Sequence, residues 1–154
     1  MFHLKEGDKA PAITANDQNG KSITLSDFSG KKVVLYFYPK DDTPGCTAEA
    51  CSFRDAHQSL LDKGLIVLGV SPDSEKSHAK FVDKYKLPFS LLSDGDKKIA
   101  NDYGVWGKKK FMGKEYDGIH RTTFIIDETG KIEKIITKVD TKDSSGQILS
   151  ELGL

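Results

Sequence analysis

The chain has 154 residues and a mass of 17.0 kDa, so one domain is expected, large enough to bury roughly 68–70% of its unfolded surface. The 23 Lys and Arg balance 23 Asp and Glu, which leaves no basic footprint for nucleic acid or an anionic membrane, and no apolar run reaches the ~18 residues of a membrane span. Two cysteines do not make a disulfide scaffold, and an N-terminus without an apolar signal core points to the cytoplasm.

Lys5 to Pro11 reads as an extended entry. Ile13–Ala15 and Ser22–Leu25 flank Asp17-Gln-Asn-Gly20, whose Asn-Gly predicts a small N-terminal hairpin. Ser26 to Gly30 is a turn or a single helical turn. Val33-Val-Leu-Tyr-Phe-Tyr38 is short, β-branched and aromatic, hence a strand, and Pro39 ends it because proline cannot donate to a ladder. Beyond Pro44-Gly45 the period becomes helical, with Thr43 as N-cap and Pro44 at the first helical position. This helix is expected to run from Cys46 to about Lys63, with Gly64 just past its end. At roughly 100° per residue, Ala50, Phe53, Ala56, Leu60 and Leu61 gather on one side with His57, and Cys51 falls opposite, beside Arg54, Asp55, Gln58 and Asp62. Leu65-Ile-Val-Leu-Gly-Val70 is continuously apolar, as a strand covered on both faces should be. Strand, helix and strand in this order form a βαβ unit with parallel strands.

Ser74 can cap a helix through Tyr85, with Ala79, Phe81, Val82 and Tyr85 as its apolar stripe. Phe89–Leu92 is a short strand and Asp96–Tyr103 a short helix. Gly104 to Gly118 holds four glycines and three consecutive lysines without a regular period, so a loop is expected. Thr122–Ile126 and Ile132–Ile136 flank Asp127-Glu-Thr-Gly130 as a hairpin, and Ser144 or Ser145 caps a last helix ending at Leu154.

The chemistry centres on Cys46. It falls in the first turn of a helix, where unpaired N–H groups and the positive end of the dipole favour an anion, and thiols so placed become reactive thiolates. Cys51 lies five residues on. On an intact helix the two Cα atoms would be about 8.7 Å apart, whereas a disulfide needs them within about 7 Å, so they can pair only if the first turns unwind. Plainer readings stand beside these. Cys46 could be a small buried hydrophobe, Arg121 a strand-entry residue with its head in water, Thr43 a cap and nothing more, and Glu49 a first-turn charge. His57 reads as a core histidine, His3, His78 and His120 show no metal-ligand spacing, and Lys108–Lys110 reads as a solvated loop face.

Pro39-x-x-x-Thr43-x-x-Cys46 resembles the active-site motif of the peroxiredoxins, the thiol peroxidases. The second cysteine at position 51 is similar to that of the peroxiredoxin Q, or bacterioferritin comigratory protein, subgroup. Phe37-Tyr-Pro39, Cys51-Ser-Phe-Arg-Asp55, Leu91-Leu-Ser-Asp94, Tyr103-Gly-Val-Trp-Gly107, Phe111-Met-Gly-Lys114 and Gly118-Ile-His-Arg-Thr-Thr-Phe-Ile-Ile-Asp127 carry the likeness along nearly the whole chain. It implies an α/β, thioredoxin-like fold: a βαβ and a ββα unit sharing a central mixed sheet flanked by helices, with an added N-terminal β-hairpin and an insertion. In open α/β sheets, sites lie beyond the carboxyl ends of the parallel strands, and Cys46 follows such an end.

The resemblance also implies roles. The Cys46 thiolate would attack hydrogen peroxide or an organic hydroperoxide and become a sulfenic acid. The Arg121 guanidinium would approach the sulfur; Glu49, apart from the resemblance and beside its reading as a first-turn charge, could also orient it. Thr43 would meet the peroxide, and Pro39 would shield the site from water. Cys51 would condense with the sulfenic acid to an intrachain disulfide, and thioredoxin or a related dithiol protein would restore both thiols. No metal, haem or flavin is called for, and a monomer is expected. A thioredoxin-type thiol–disulfide oxidoreductase is the alternative, although that activity rests on Cys-x-x-Cys and four residues separate these cysteines. A metal module of Cys46, Cys51 and a histidine is a third reading, disfavoured by the spacing.

Overall fold

The computed structural model describes residues 3–154. Nine strands and five α-helices are formed by these residues. Five strands make the central sheet, in the order β5-β4-β3-β8-β9: β3 (Lys32–Phe37), β4 (Leu65–Ser71), β5 (Ser90–Ser93), β8 (Thr122–Ile126) and β9 (Ile132–Ile136). β3 pairs parallel with β4 and β4 with β5, whereas β8 runs antiparallel to both β3 and β9. This is the mixed α/β sheet of a thioredoxin-like fold. The N-terminal hairpin is β1 (Thr14–Asn16) with β2 (Ser22–Thr24), followed by a 3-10 turn at Leu25–Phe28.

Period-two alternation along β3 divides the core between the two faces of the sheet. Val33, Leu35 and Phe37 pack with Leu68, Val70, Tyr103, Phe124 and Ile126 on one face. This face is covered by the N-terminal segment and α4 (Lys98–Asp102). Val34, Tyr36 and Tyr38 point the other way, toward α1 (Pro44–Asp55), α2 (His57–Asp62), α3 (Glu75–Tyr85) and α5 (Ser144–Leu152). Tyr36 packs at a tilt against Phe53 and stacks on Tyr38, at ring-centroid distances of 5.0 and 5.4 Å. It needs Gly69 beside it, because a Cβ there would lie 2.9 Å from the Tyr36 ring.

Three local expectations are corrected. The helix from Cys46 toward Lys63 is broken at Ala56, whose φ of −103° and ψ of 7° are not helical. The break turns Leu61 toward solvent, 36% exposed, and leaves His57 half-buried with its ring 6.1 Å from that of Phe89. The last helix is capped by Asp143, whose carboxylate accepts from the Gly146 N–H. Ser144 is instead its first residue and donates to the Asp140 carbonyl.

The third correction is the stretch read as a loop, which is the hairpin β6 (Trp106–Phe111) and β7 (Lys114–Ile119). Met112 and Gly113 turn it, both with positive φ, 51° and 80°, as a two-residue primed turn requires. Methionine in that backbone is not a turn signature, and strands with lysines on both faces carry no apolar alternation. Expected capping does hold at α3, where the Ser74 hydroxyl accepts from the Ser77 N–H.

Candidate active site

The segment between β3 and α1 carries Cys46, and buried polar groups pin it. The Asp41 N–H donates to Asp73 at 2.7 Å. The Asp41 carboxylate accepts from the Tyr38 and Ser77 hydroxyls at 2.6 and 2.7 Å and meets His78 Nδ1 at 2.7 Å. The other nitrogen of His78 lies 3.0 Å from the Leu92 carbonyl; a carbonyl can only accept, so this nitrogen carries hydrogen. Asp42 takes a positive φ of 57°, held by Lys84 at 2.8 Å and by the Tyr85 hydroxyl at 2.7 Å. The donor atoms of Asp41, Asp73 and His78 lie within 4.8 Å of one another. Their lone pairs and protons are already matched internally, so the cluster reads as the anchor of this segment. Linear spacing gave no hint of it, because His78 is 37 residues from Asp41.

Cys46 is the third residue of α1, after Pro44 and Gly45, and is buried. Thr43 is the N-cap by position, but its side chain does not cap: the hydroxyl donates back to the Lys40 carbonyl at 2.9 Å. Only its lone pairs remain for a ligand. Pro39 is half-buried just past the end of β3. Arg121 immediately precedes β8, and the antiparallel pairing of Phe37 with Thr122 brings it to the carboxyl end of β3. Its Nη2 donates to Cys46 Sγ at 3.3 Å and its Nη1 to Glu49 Oε1 at 2.8 Å. Gly45 leaves room for this arrangement, since a Cβ there would lie 3.3 Å from Nη2.

Glu49 proves more than a first-turn charge. It is buried in the same stripe of α1 as Cys46, Ala50 and Phe53. That is the i, i+3, i+4, i+7 spacing of a helix's inward face, a signal present in the sequence. Burial pushes the Glu49 carboxyl up from 4.5 to about 7, and the Arg121 charge and hydrogen bond only partly oppose it. Its second oxygen has no hydrogen-bond partner; nearby Ser144 spends its hydroxyl on Asp140. Because its folded value is raised, Glu49 contributes stability that is full below about 4.5 and lost as pH climbs to about 7. At about 1.4 kcal/mol per unit this is on the order of 3–4 kcal/mol. Urea unfolding of the native chain and of Glu49→Gln at several pH values is expected to show the difference between them changing across that window and constant outside it.

Cys51 lies on the same unbroken helix as Cys46, half-buried, and both are free thiols. The segment joining them is helical, as expected for the reduced chain. Further along, Ser52 is tied to the start of α5 by its contact with the Ser145 hydroxyl at 3.0 Å and by the Ser145 N–H at 3.1 Å. The structure therefore gathers Cys46, Arg121 and Glu49 into one contact set, with Thr43 and Pro39 on the adjoining turn and Cys51 in the next turns of the helix. No helix among the described residues is long and apolar enough to cross a membrane.

Comparison with known proteins agrees with this geometry. The AhpC/TSA family model matches residues 6–135. A putative peroxiredoxin bcp of Haemophilus influenzae is 51% identical over 152 residues, covering 99% of this chain and 98% of the relative. Peroxiredoxin Bcp of Bacillus subtilis is 49% identical over 149 residues, covering 97% and 95%. Among solved structures, a cysteine-to-serine mutant of Xylella fastidiosa PrxQ superposes with a TM-score of 0.92 at 32% identity, covering 99% and 98%. A Xanthomonas campestris bacterioferritin comigratory protein, described for its alkyl peroxide reduction activity, gives a TM-score of 0.85 at 35% identity, covering 92% and 90%. With its first-turn cysteine facing an arginine, and with relatives near half identical along almost their full length, the chain belongs to the AhpC/TSA family, among the peroxiredoxins of the Bcp and Q group.

Proposed function

We propose that the chain is a thiol peroxidase that reduces hydrogen peroxide and organic hydroperoxides at Cys46. The observation that carries this is the 3.3 Å contact of Arg121 Nη2 with the sulfur at the start of α1. A permanent positive charge and the helix's free N–H groups converge on one buried thiol. The alkyl peroxide activity described for the Xanthomonas relative supports the substrate class.

The Cys46 thiolate attacks the terminal oxygen of the hydroperoxide. The S–O bond forms as the O–O bond breaks, leaving Cys46 as a sulfenic acid and an alkoxide or hydroxide that takes up a proton and departs as alcohol or water. Arg121 and the backbone N–H groups stabilise the charge that spreads as the O–O bond lengthens, which is electrostatic preorganisation, while Thr43, its own proton held by the Lys40 carbonyl, accepts from the peroxide O–H. Pro39 limits the access of bulk water. The Cys51 thiol then displaces hydroxide from the sulfenic sulfur, giving an intrachain disulfide and water. A thioredoxin-type dithiol protein regenerates both thiols by exchange.

This cycle requires α1 to open. Cysteines five apart on an intact helix, with Cα atoms about 8.7 Å apart, cannot form a disulfide without backbone movement. Phe53, fully buried, and the Ser52–Ser145 contacts hold the later turns, so the opening runs from Pro44 toward Cys51. Such local opening can cost far less than global unfolding. Adding one equivalent of hydrogen peroxide to the reduced chain is expected to give an intact mass lower by two hydrogens, with amides Thr47 to Ser52 losing protection from hydrogen exchange. No mass change, or equal protection in both redox forms, overturns the reading.

A further inference from the structure

Among the described residues, five large apolar side chains lie exposed, and three of them, Phe111, Met112 and Tyr116, cluster at the end of the β6–β7 hairpin. Phe111 is 67% exposed, Met112 87% and Tyr116 48%. Single surface apolar residues need no explanation, but a cluster marks a place where something binds. Turn residues are ordinarily polar or glycine, yet Met112 occupies left-handed backbone at this tip, with a φ of 51°.

The pairing register sorts the ribbon into two unlike faces. Trp106 lies opposite Ile119, and both pack against the core. By alternation, Lys108 and Lys110 continue that face, opposite Asp117 and Glu115, so its charges are matched in cross-strand pairs. The other face carries Phe111 opposite Lys114, Lys109 opposite Tyr116, and Gly107 opposite Gly118. It holds two rings and two ammonium groups and no carboxylate. A Cβ at Gly118 would lie 3.2 Å from Lys109 Cδ and 3.2 Å from Tyr116 Cε2, so both side chains lie against bare backbone. The Lys109 ammonium is tied down on the Ile119 carbonyl at 2.8 Å.

This ribbon stands beside the cysteine site. His120 closes its base, with its N–H on the Val105 carbonyl at 2.7 Å and a ring nitrogen 3.1 Å from the Lys108 carbonyl. The next residue is Arg121, whose Nη2 meets Cys46 Sγ at 3.3 Å. Tyr116 lies five residues before Arg121, about 17 Å along an extended chain. The contact patch of an ordinary protein partner, about 800 Å², spans roughly 30 Å. A protein that reacts at Cys46 and Cys51 therefore reaches the ribbon with the same surface.

We propose that the Phe111–Tyr116 face of the hairpin is the docking surface for the dithiol protein that reduces the Cys46–Cys51 disulfide, a partner whose reactive cysteine is ringed by apolar residues and carboxylates. The proposal rests on the peroxidase reading and its disulfide. A thiolate of the partner attacks one sulfur of that disulfide and the other sulfur leaves as thiolate. The partner's second thiol then displaces the first, so the partner is oxidised to its own disulfide and this chain regains both thiols. Exposed rings serve as anchors in such an interface, and the unmatched ammonium groups steer and orient a partner bearing carboxylates. A lipid surface fits less well. A segment that lies in a bilayer keeps its charges on the side away from its apolar face, whereas here ammonium groups alternate with the rings.

The test oxidises the chain with diamide, so that no peroxide is involved, and follows reduction of the disulfide by a purified thioredoxin and by dithiothreitol. Phe111→Ser/Tyr116→Ser is expected to lower kcat/KM with thioredoxin about tenfold or more, the scale of a lost aromatic anchor, and to leave the dithiothreitol rate unchanged. Lys114→Gln should lower the thioredoxin rate about threefold. Lys110→Gln on the other face, and Leu154→Ser, an exposed leucine outside the hairpin, should not change it. A native thioredoxin rate in the double variant, or an equal slowing with dithiothreitol, overturns the proposal, as does a diamide-treated chain without the intrachain disulfide. Binding to phosphatidylglycerol vesicles that the double variant loses while its thioredoxin rate stays native would give the face to a lipid surface, and overturns it too. If the thioredoxin-specific loss is seen yet the native chain consumes no peroxide, the docking surface stands and the peroxidase reading falls.

Discussion

Cys46→Ser is expected to abolish peroxide consumption, and Cys51→Ser to consume about one equivalent and then stop with Cys46 as sulfenic acid. The difference follows from where each sulfur sits. Cys46 is buried in the first turn of α1 with Arg121 Nη2 3.3 Å away. A serine hydroxyl there can accept the same hydrogen bond, so the fold survives while the nucleophile is lost. Cys51 lies in the next turns, half-buried, and its substitution removes only the second step. The measurement is peroxide consumed per chain, with dimedone to trap the sulfenic acid. If Cys51→Ser turned over at the native rate with a thioredoxin, the reductant itself would be attacking the sulfenic acid, and the role assigned to Cys51 would fall.

Arg121→Met is expected to slow the peroxide step by about 10²–10³-fold, the scale of one lost oxyanion-type donor. Two donors of one guanidinium serve Glu49 and Cys46 together, at 2.8 and 3.3 Å. Lysine has a single ammonium, so Arg121→Lys should restore only part of the rate. Removing the arginine also strands a buried carboxylate, and breaking a buried pair can cost about 3–5 kcal/mol. Here the cost is capped: Glu49 already titrates near 7, and without Arg121 it takes a proton instead of staying charged. The double variant Arg121→Met/Glu49→Gln separates the two effects. Its stability should return toward that of the native chain while the rate stays low. A lysine variant with the native second-order rate would show that the planar fork is not what the site uses.

Much of the framework follows from local signals. Val33–Tyr38 and Leu65–Val70 declared their strands by continuous β-branched and aromatic residues, because a strand buried on both faces tolerates little else. Thr43-Pro44 marked the start of α1, because proline's fixed φ and missing N–H suit the first helical position. The break at Ala56 was hidden by an apolar pattern that continues across it. The β6–β7 hairpin was hidden because Lys108, Lys109 and Lys110 supply no alternation and Met112 stands where a turn residue would be expected.

The sequence by itself determined the order of the central strands and the helices between them, the position of Cys46 at a strand-to-helix turn, and the five-residue interval to Cys51, all properties of short stretches of chain. Only the tertiary structure decided which distant groups meet that thiol. The pairing of β3 with β8 brings Arg121, 75 residues away, onto the sulfur. Burial of α1 turns Glu49 from a helix charge into a carboxyl poised near neutrality. Electrostatic and desolvation energies depend on distance in space and on exclusion of water, and neither is written in the spacing of residues along the chain.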